Sequence, residues 1–329
     1  MKKKNWLVLL LACTIALTSF QSCSSDDTEE PDEWFRTSVF LSTPRNGSAY
    51  FTIGDQGYLV GGIIKTNNER LKDTWSFDGS DKTWSPKAEF PGDIRNSAVG
   101  FAIGTEGFVG TGWNGTSELK DFYKYNSTTD TWTKIADFPG EARFGAVAFS
   151  LGGFGYVGLG TDNNDKTYGD FYKYDPTANT WTLLATNFTY KKAYAFSFVI
   201  GNNAYVGGGY SNNALPEDFY KFDGTTWTQL EDLARDDDSY VYDVRRYNTA
   251  AFAIGNYGYV TSGRSSSGIT NTTWKYDPSL DAWIDGHQEF LGSTREKAVS
   301  FSLNNKGYVA TGINGTSYFD DNWEFIPVR

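Results

Sequence analysis

Six basic side chains recur along this chain of 329 residues, about fifty positions apart, and each is followed by a phenylalanine six residues later. The pairs are Arg45/Phe51, Arg95/Phe101, Arg143/Phe149, Lys192/Phe198, Arg246/Phe252 and Arg295/Phe301. A guanidinium holds a carboxylate through two parallel hydrogen bonds, so cations gathered at one place would bind a carboxylate or an acidic sugar. The alternative is that each one braces its own segment against a nearby acid. Asp73, Asp121, Asp170, Asp218 and Asp321 stand at a matching offset in five repeats, and Thr272 takes that place in the remaining one. Arg246 is therefore the member whose partner differs.

Other residues suited to chemistry lie in polar stretches between these pairs. Trp113, Tyr168, Tyr210, Tyr240 and Tyr318 are candidate platforms for sugar rings, which offer an apolar face and a hydroxyl rim. Packing within the loops is the competing reading for each. Glu118, Asp165 and Glu296 could supply acid/base groups beside Arg95, Arg143, Arg246 or Arg295. The runs Asp162-Asn163-Asn164-Asp165 and Asp236-Asp237-Asp238 carry oxygen ligands of the kind Ca²⁺ takes, but without EF-hand spacing they read as solvated loops. Both cysteines, Cys13 and Cys23, fall in the first 23 residues, and His287 is the single histidine. A thiolate or multi-histidine metal centre is thereby excluded from the rest of the chain. No glycine-rich phosphate loop or nucleophile elbow occurs, and no cofactor is expected.

The elements that must position these residues are short strands. Val99, Phe101 and Ile103 alternate with Ala98, Gly100 and Ala102, a period of two that marks a strand buried on both faces. Tight turns such as Gly54-Asp55-Gln56-Gly57 follow. Second strands then end on Gly62, Gly112, Gly160, Gly209, Gly263 and Gly312. Third strands carry Trp75, Tyr123, Tyr172, Tyr220, Trp274 and Trp323, and fourth strands begin at Trp84, Trp132, Trp181, Trp227 and Trp283. The missing sixth fourth-strand tryptophan is Trp34, eleven residues before Arg45 as Trp84 is before Arg95. The segment Trp34 to Leu41 should therefore close the last sheet. The expected fold class is all-β, a six-bladed propeller with the N-terminal strand completing the last blade. In that topology the second-to-third loops and the crossovers between blades share one face. The basic residues open the innermost strands there and should ring the channel mouth.

Glycine after the second strand, then an aromatic, then tryptophan at this spacing resembles the Kelch repeat over residues 34–329; Gly61-Gly62 and Gly208-Gly209 keep the doublet. The resemblance implies a propeller, and it is shared by enzymes and pure binding modules, so catalysis is left open. Galactose-oxidase chemistry would need two histidines and a cysteine-linked tyrosine, which one histidine and no cysteine after Cys23 cannot supply. Two readings follow: a module binding a glycan or a protein through the loop face, and an enzyme similar to Kelch epimerases that interconvert sialic acid anomers.

Lys2, Lys3 and Lys4 precede the apolar run Trp6 to Leu17, the pattern of a secretory signal. Phe20-Gln21-Ser22-Cys23 resembles a bacterial lipobox, with residues 1–22 removed and Cys23 acylated. Residues 23–33 then form an acidic tether before the propeller at 34–329. The net charge of −11 becomes −11 − 3 = −14 without those lysines, which argues against nucleic acid as a partner. The expectation is a monomer held at the outer membrane, facing the cell surface, and touching the membrane through its lipid alone. Its partner would be an acidic sugar, another glycan or an outer-membrane protein.

Overall fold

The period-two stretches form antiparallel strands in six four-stranded blades around a common axis, in a computed structural model that describes residues 32–237 and 240–327. Blade 1 comprises Ala49–Ile53, Gln56–Ile64, Arg70–Asp78 and Trp84–Lys87. Blade 2 comprises Val99–Ile103, Glu106–Gly110, Phe122–Asn126 and Thr131–Lys134. Blade 3 runs Val147–Leu151, Phe154–Gly158, Phe171–Asp175 and Thr180–Leu184. Blade 4 runs Phe196–Ile200, Asn203–Gly207, Phe219–Phe222 and Trp227–Gln229. Blade 5 is Ala250–Ile254, Tyr257–Thr261, Thr273–Asp277 and Ala282–Ile284. Blade 6 is Val299–Leu303, Lys306–Ala310 and Asp321–Ile326, closed by Glu33–Val39 from the other end of the chain.

That closure pairs Trp34 with Phe325 and Arg36 with Trp323, as the spacing of Trp34 predicts. The Trp34 ring packs 4.9 Å from Phe290 and 4.8 Å from Phe325, and its indole donates to the Gln288 carbonyl. Asp32, just before the strand, is buried against the His287 ring. The predicted signal peptide, Cys23 and the acidic tether through Pro31 lie outside the described residues. Among the described residues, no helix is long and apolar enough to cross a membrane.

Neighbouring blades interlock by one repeated contact. The phenylalanine six residues after each basic residue points into the next blade, where the second strand offers a glycine. A Cβ on Gly107, Gly155, Gly258, Gly307 or Gly57 would come within 2.2 to 2.6 Å of the ring of Phe51, Phe101, Phe198, Phe252 or Phe301. Blade 4 has Ala204 at this position, in one cluster with Phe149. The fixed spacing thus records inter-blade packing, where inserting even one extra methyl group would cost about 1–3 kcal/mol.

Blades 6 and 1 carry an additional polar clasp on the face of short turns. The buried Glu324 carboxylate accepts from Lys306 (2.6 Å), from Tyr308 (2.7 Å) and from Lys82 of blade 1. Burial alone would raise this carboxyl, yet Lys306, Lys82 and Tyr308 together hold it below the usual glutamate range. A depressed folded pKa means the stabilisation is present above the unfolded value and is lost as pH falls through the folded one. Stability should therefore decline below about pH 5, and Glu324→Gln should flatten that decline in urea melts taken from neutral to acid pH.

Candidate functional site at the channel mouth

The six basic residues do not face the channel. Arg45, Arg95, Arg143, Lys192, Arg246 and Arg295 are at most 1 % exposed. Arg143 shows the arrangement. Its Nη1 and Nη2 donate to the two Asp170 carboxylate oxygens at 2.5 and 3.0 Å, Nη1 also reaches the Leu159 carbonyl, and Nε reaches that of Glu141. The guanidinium lies 4.8 Å over Phe138 and 4.1 Å from the Tyr168 centroid. Arg45–Asp73, Arg95–Asp121 and Arg295–Asp321 repeat the bidentate pair, and Lys192 meets Asp218 at 2.6 Å. Their backbones couple the blades as well: each carbonyl accepts from the glycine that ends the preceding blade's second strand, as Arg143 does from Gly112. Of the two readings, bracing is the one this geometry carries.

Arg246 is the exception in chemistry but not in place. Its donors end on the carbonyls of Val244, Ser262 and Thr272 and on the Thr272 hydroxyl, with no carboxylate among these contacts. Burial lowers its pKa to about 10, against a smaller opposing pull from Asp243. Thr272→Asp should supply the missing carboxylate and stabilise the fold by about 1.5 kcal/mol or more, seen as a higher midpoint of thermal unfolding.

The mouth itself is built two residues further along. Gly47, Ser97, Gly145, Tyr194, Asn248 and Lys297 all adopt left-handed backbone, φ 53 to 63°. Each N–H donates to the carbonyl of its counterpart in the preceding blade: Ser97 to Gly47, Gly145 to Ser97, Tyr194 to Gly145, Asn248 to Tyr194, Lys297 to Asn248 and Gly47 to Lys297. The circle closes at distances of 2.7 to 3.3 Å. Four of the six are not glycine, and left-handed backbone costs such residues about 1–2 kcal/mol each. The ring of hydrogen bonds holds them there.

Their side chains surround a cavity of about 120 Å3, lined among others by Tyr194, Asn248, Lys297 and Ser97 and floored by Tyr50. Tyr50 stands where the other blades have Gly100, Ala148, Ser197, Ala251 and Ser300, so one large ring fills the axis and meets the Ser300 hydroxyl at 3.4 Å. Below it the channel widens again to about 300 Å3 toward the opposite face.

Around the mouth, charges and aromatics divide the rim. Lys297 has no hydrogen bond or ion pair from its ammonium among the described residues. Beside it, Glu296 is 8 % exposed and accepts from Arg264 at 2.8 Å and from Asn248 at 2.9 Å. Arg70 reaches the Asn96 side chain at 2.7 Å on the far side. An aromatic arc runs from Trp113 to Phe144 (5.7 Å), Tyr194 (6.4 Å), Tyr247 (6.5 Å) and Tyr210 (5.1 Å). Burial, with Asp165, Tyr247 and Glu296 adding to it, pushes the Tyr194 hydroxyl up to about 12. It therefore stays a donor at neutral pH.

The sequence candidates divide accordingly. Trp113, Tyr210 and Glu296 stand on the rim of the mouth. Tyr168 is not a platform: it is 9 % exposed, stacked on Arg143 and bonded to Asp162 at 3.0 Å. Tyr240 belongs to a hairpin between blades 4 and 5, Ala234–Asp236 with Val241–Asp243, and Tyr318 to a short hairpin with Ile313–Asn314. Glu118 binds the Asn163 backbone at 2.5 Å. Asp162 caps its own loop through the N–H groups of Asn164 and Lys166, while Asp238 of the second acidic run lies outside the described residues. Among those residues, no group of three or more His, Cys, Asp and Glu side chains is placed to hold a metal ion.

Known proteins bear on this geometry through the fold. A Kelch motif matches residues 112–139, from the end of the second strand of blade 2 into the crossover beyond its fourth. The chain is a Kelch-repeat propeller. A solved structure titled "Structure of YjhT" aligns with a TM-score of 0.71 at 18 % identity, over 87 % of this chain and 96 % of that one. At that identity the likeness speaks for the propeller fold and for nothing at its mouth. No curated protein sequence matches the chain. The residues of the mouth other than Trp113, Tyr210 and Glu296 escape sequence reasoning because they vary from blade to blade. For Ser97, Phe144, Tyr194, Tyr247, Asn248 and Lys297 the signal is positional, one or two places after each recurring basic residue.

Proposed function

We propose that this Kelch propeller is a lipid-anchored surface protein that binds an acidic glycan at the channel mouth of its loop face. The anchor rests on the lipobox-like Cys23. The ligand class rests above all on Lys297, a cation without a hydrogen-bond or ion-pair partner among the described residues, which lines the same cavity as Tyr194. A carboxylate seated there would gain a charge-assisted hydrogen bond, and the arc from Trp113 to Tyr210 offers faces for the sugar rings. Arg264 and Arg70 add positive charge at the rim of an otherwise acidic protein, which favours an anionic ligand.

A second reading is supported by Glu296. Its carboxylate, already an acceptor for Arg264 and Asn248, lies at the mouth and is positioned to take a proton from an anomeric hydroxyl. With the Tyr194 hydroxyl as donor, a sugar held there would open and reclose its ring, giving an epimerase or mutarotase acting on sialic acid or a related sugar. One experiment separates the two: NMR of sialic acid with added protein, reading line width and anomeric exchange together. Broadening without faster exchange supports binding alone. Accelerated exchange that disappears in Glu296→Gln supports the enzyme. Neither effect, with sialic acid or with neutral sugars, would contradict both and leave a protein partner as the ligand of this face.

A further inference from the structure

Four of the six blades close the same pair of positions on the turn side of their second and third strands, and in blade 1 the second-strand residue is engaged two places further along the third strand. Glu106 meets Lys124 at 2.7 Å, Lys306 meets Glu324 at 2.6 Å and Gln56 reaches Asp78 at 2.5 Å. Lys173 lies 3.5 Å over the Phe154 centroid and Lys275 5.0 Å over that of Tyr257. Blade 4 departs from this rule. Asn203 and Lys221 occupy its two positions, and neither side chain has a hydrogen bond or ion pair among the described residues. A groove of about 440 Å3 lies there, between blade 4 and the third-to-fourth turn of blade 5.

The walls of this groove are chemically complete for one kind of ligand. Tyr257, 37 % exposed, has Lys275 over one side of its ring, which leaves the other side to a ligand, and its hydroxyl has no hydrogen bond among the described residues. Asn203, Asn256 and Lys221 supply donors that are unengaged among the described residues. Asp277 is fixed by the Ser279 N–H and hydroxyl at 2.8 and 2.6 Å through one oxygen, which leaves the other to accept. Lys221 and Asp277 offset one another, so the groove has no preference for a charged ligand. We propose that it binds a neutral sugar, the aromatic ring meeting a pyranose face and the amides, ammonium and carboxylate meeting its hydroxyls. The volume falls within the range of about 300–1,000 Å3 typical of small-ligand clefts. This site is on the opposite face from the channel mouth and does not depend on the reading given for it.

The test is saturation-transfer NMR with cellobiose and with N,N′-diacetylchitobiose at about 10 mM, enough to reveal millimolar affinity. Transfer to ring protons of at least one probe is expected with the wild type, at least tenfold weaker binding in Tyr257→Ala and in Lys221→Ala, and no change in Lys297→Met at the loop face. No transfer from the wild type with either probe would overturn the proposal. So would transfer unchanged in both groove variants, or transfer lost in Lys297→Met while the groove variants retain it. Tyr257 and Lys221 bear on no core cluster, and matching thermal midpoints will show that the variants are folded.

Discussion

Asp170→Ala is expected to destabilise the protein by about 3–5 kcal/mol. The Arg143 guanidinium beside it is fully buried and takes both Asp170 oxygens. Removing the acid leaves a cation in a nonpolar setting between Phe138 and Tyr168, with only backbone carbonyls for company. Breaking one side of a buried pair costs far more than the pair contributes net, because the orphaned charge cannot return to water. Urea unfolding will measure this. A variant as stable as the wild type would mean that Arg143 is solvated, and the ring of cations would again be a candidate for ligand contact.

Lys297→Met should have the opposite profile. Its ammonium touches no acceptor among the described residues, so the unfolding midpoint should stay within about 0.5 kcal/mol of the wild type. Binding of an acidic sugar should weaken roughly ten- to hundredfold, the equivalent of one charged hydrogen bond of about 1.5–3 kcal/mol. Tyr194→Phe, which keeps the ring and removes the hydroxyl, should cost less than Lys297→Met. The two predictions together separate cations that hold the fold from the cation that meets the ligand.

That separation explains what the sequence made legible. Phe51, Phe101 and their counterparts recur at fixed spacing because each inserts over a glycine of the next blade, and Trp34 stands eleven residues before Arg45 because it completes blade 6. Such constraints repeat six times and so declare themselves as a pattern. Arg143 and its equivalents were equally visible, but their constancy comes from pairing with Asp170 and its equivalents, a contact whose partner lies 27 residues away. Tyr194, Asn248 and Lys297 share a backbone conformation and a hydrogen-bonded ring while sharing no side-chain type. A site assembled from one differing residue per blade has no spacing of its own. It becomes visible only when the circle is closed. Glu296 was legible as an acid next to Arg295, yet its true partners are Arg264 and Asn248.

Calorimetric titration of sialic acid into the wild type, Lys297→Met and Lys221→Ala under one buffer tests the channel-mouth site most directly. Saturable binding to the wild type and to Lys221→Ala is expected, with at least tenfold weaker binding to Lys297→Met and an unchanged unfolding midpoint. Equal affinity for wild type and Lys297→Met would contradict it, since the carboxylate would then be held somewhere other than the channel mouth.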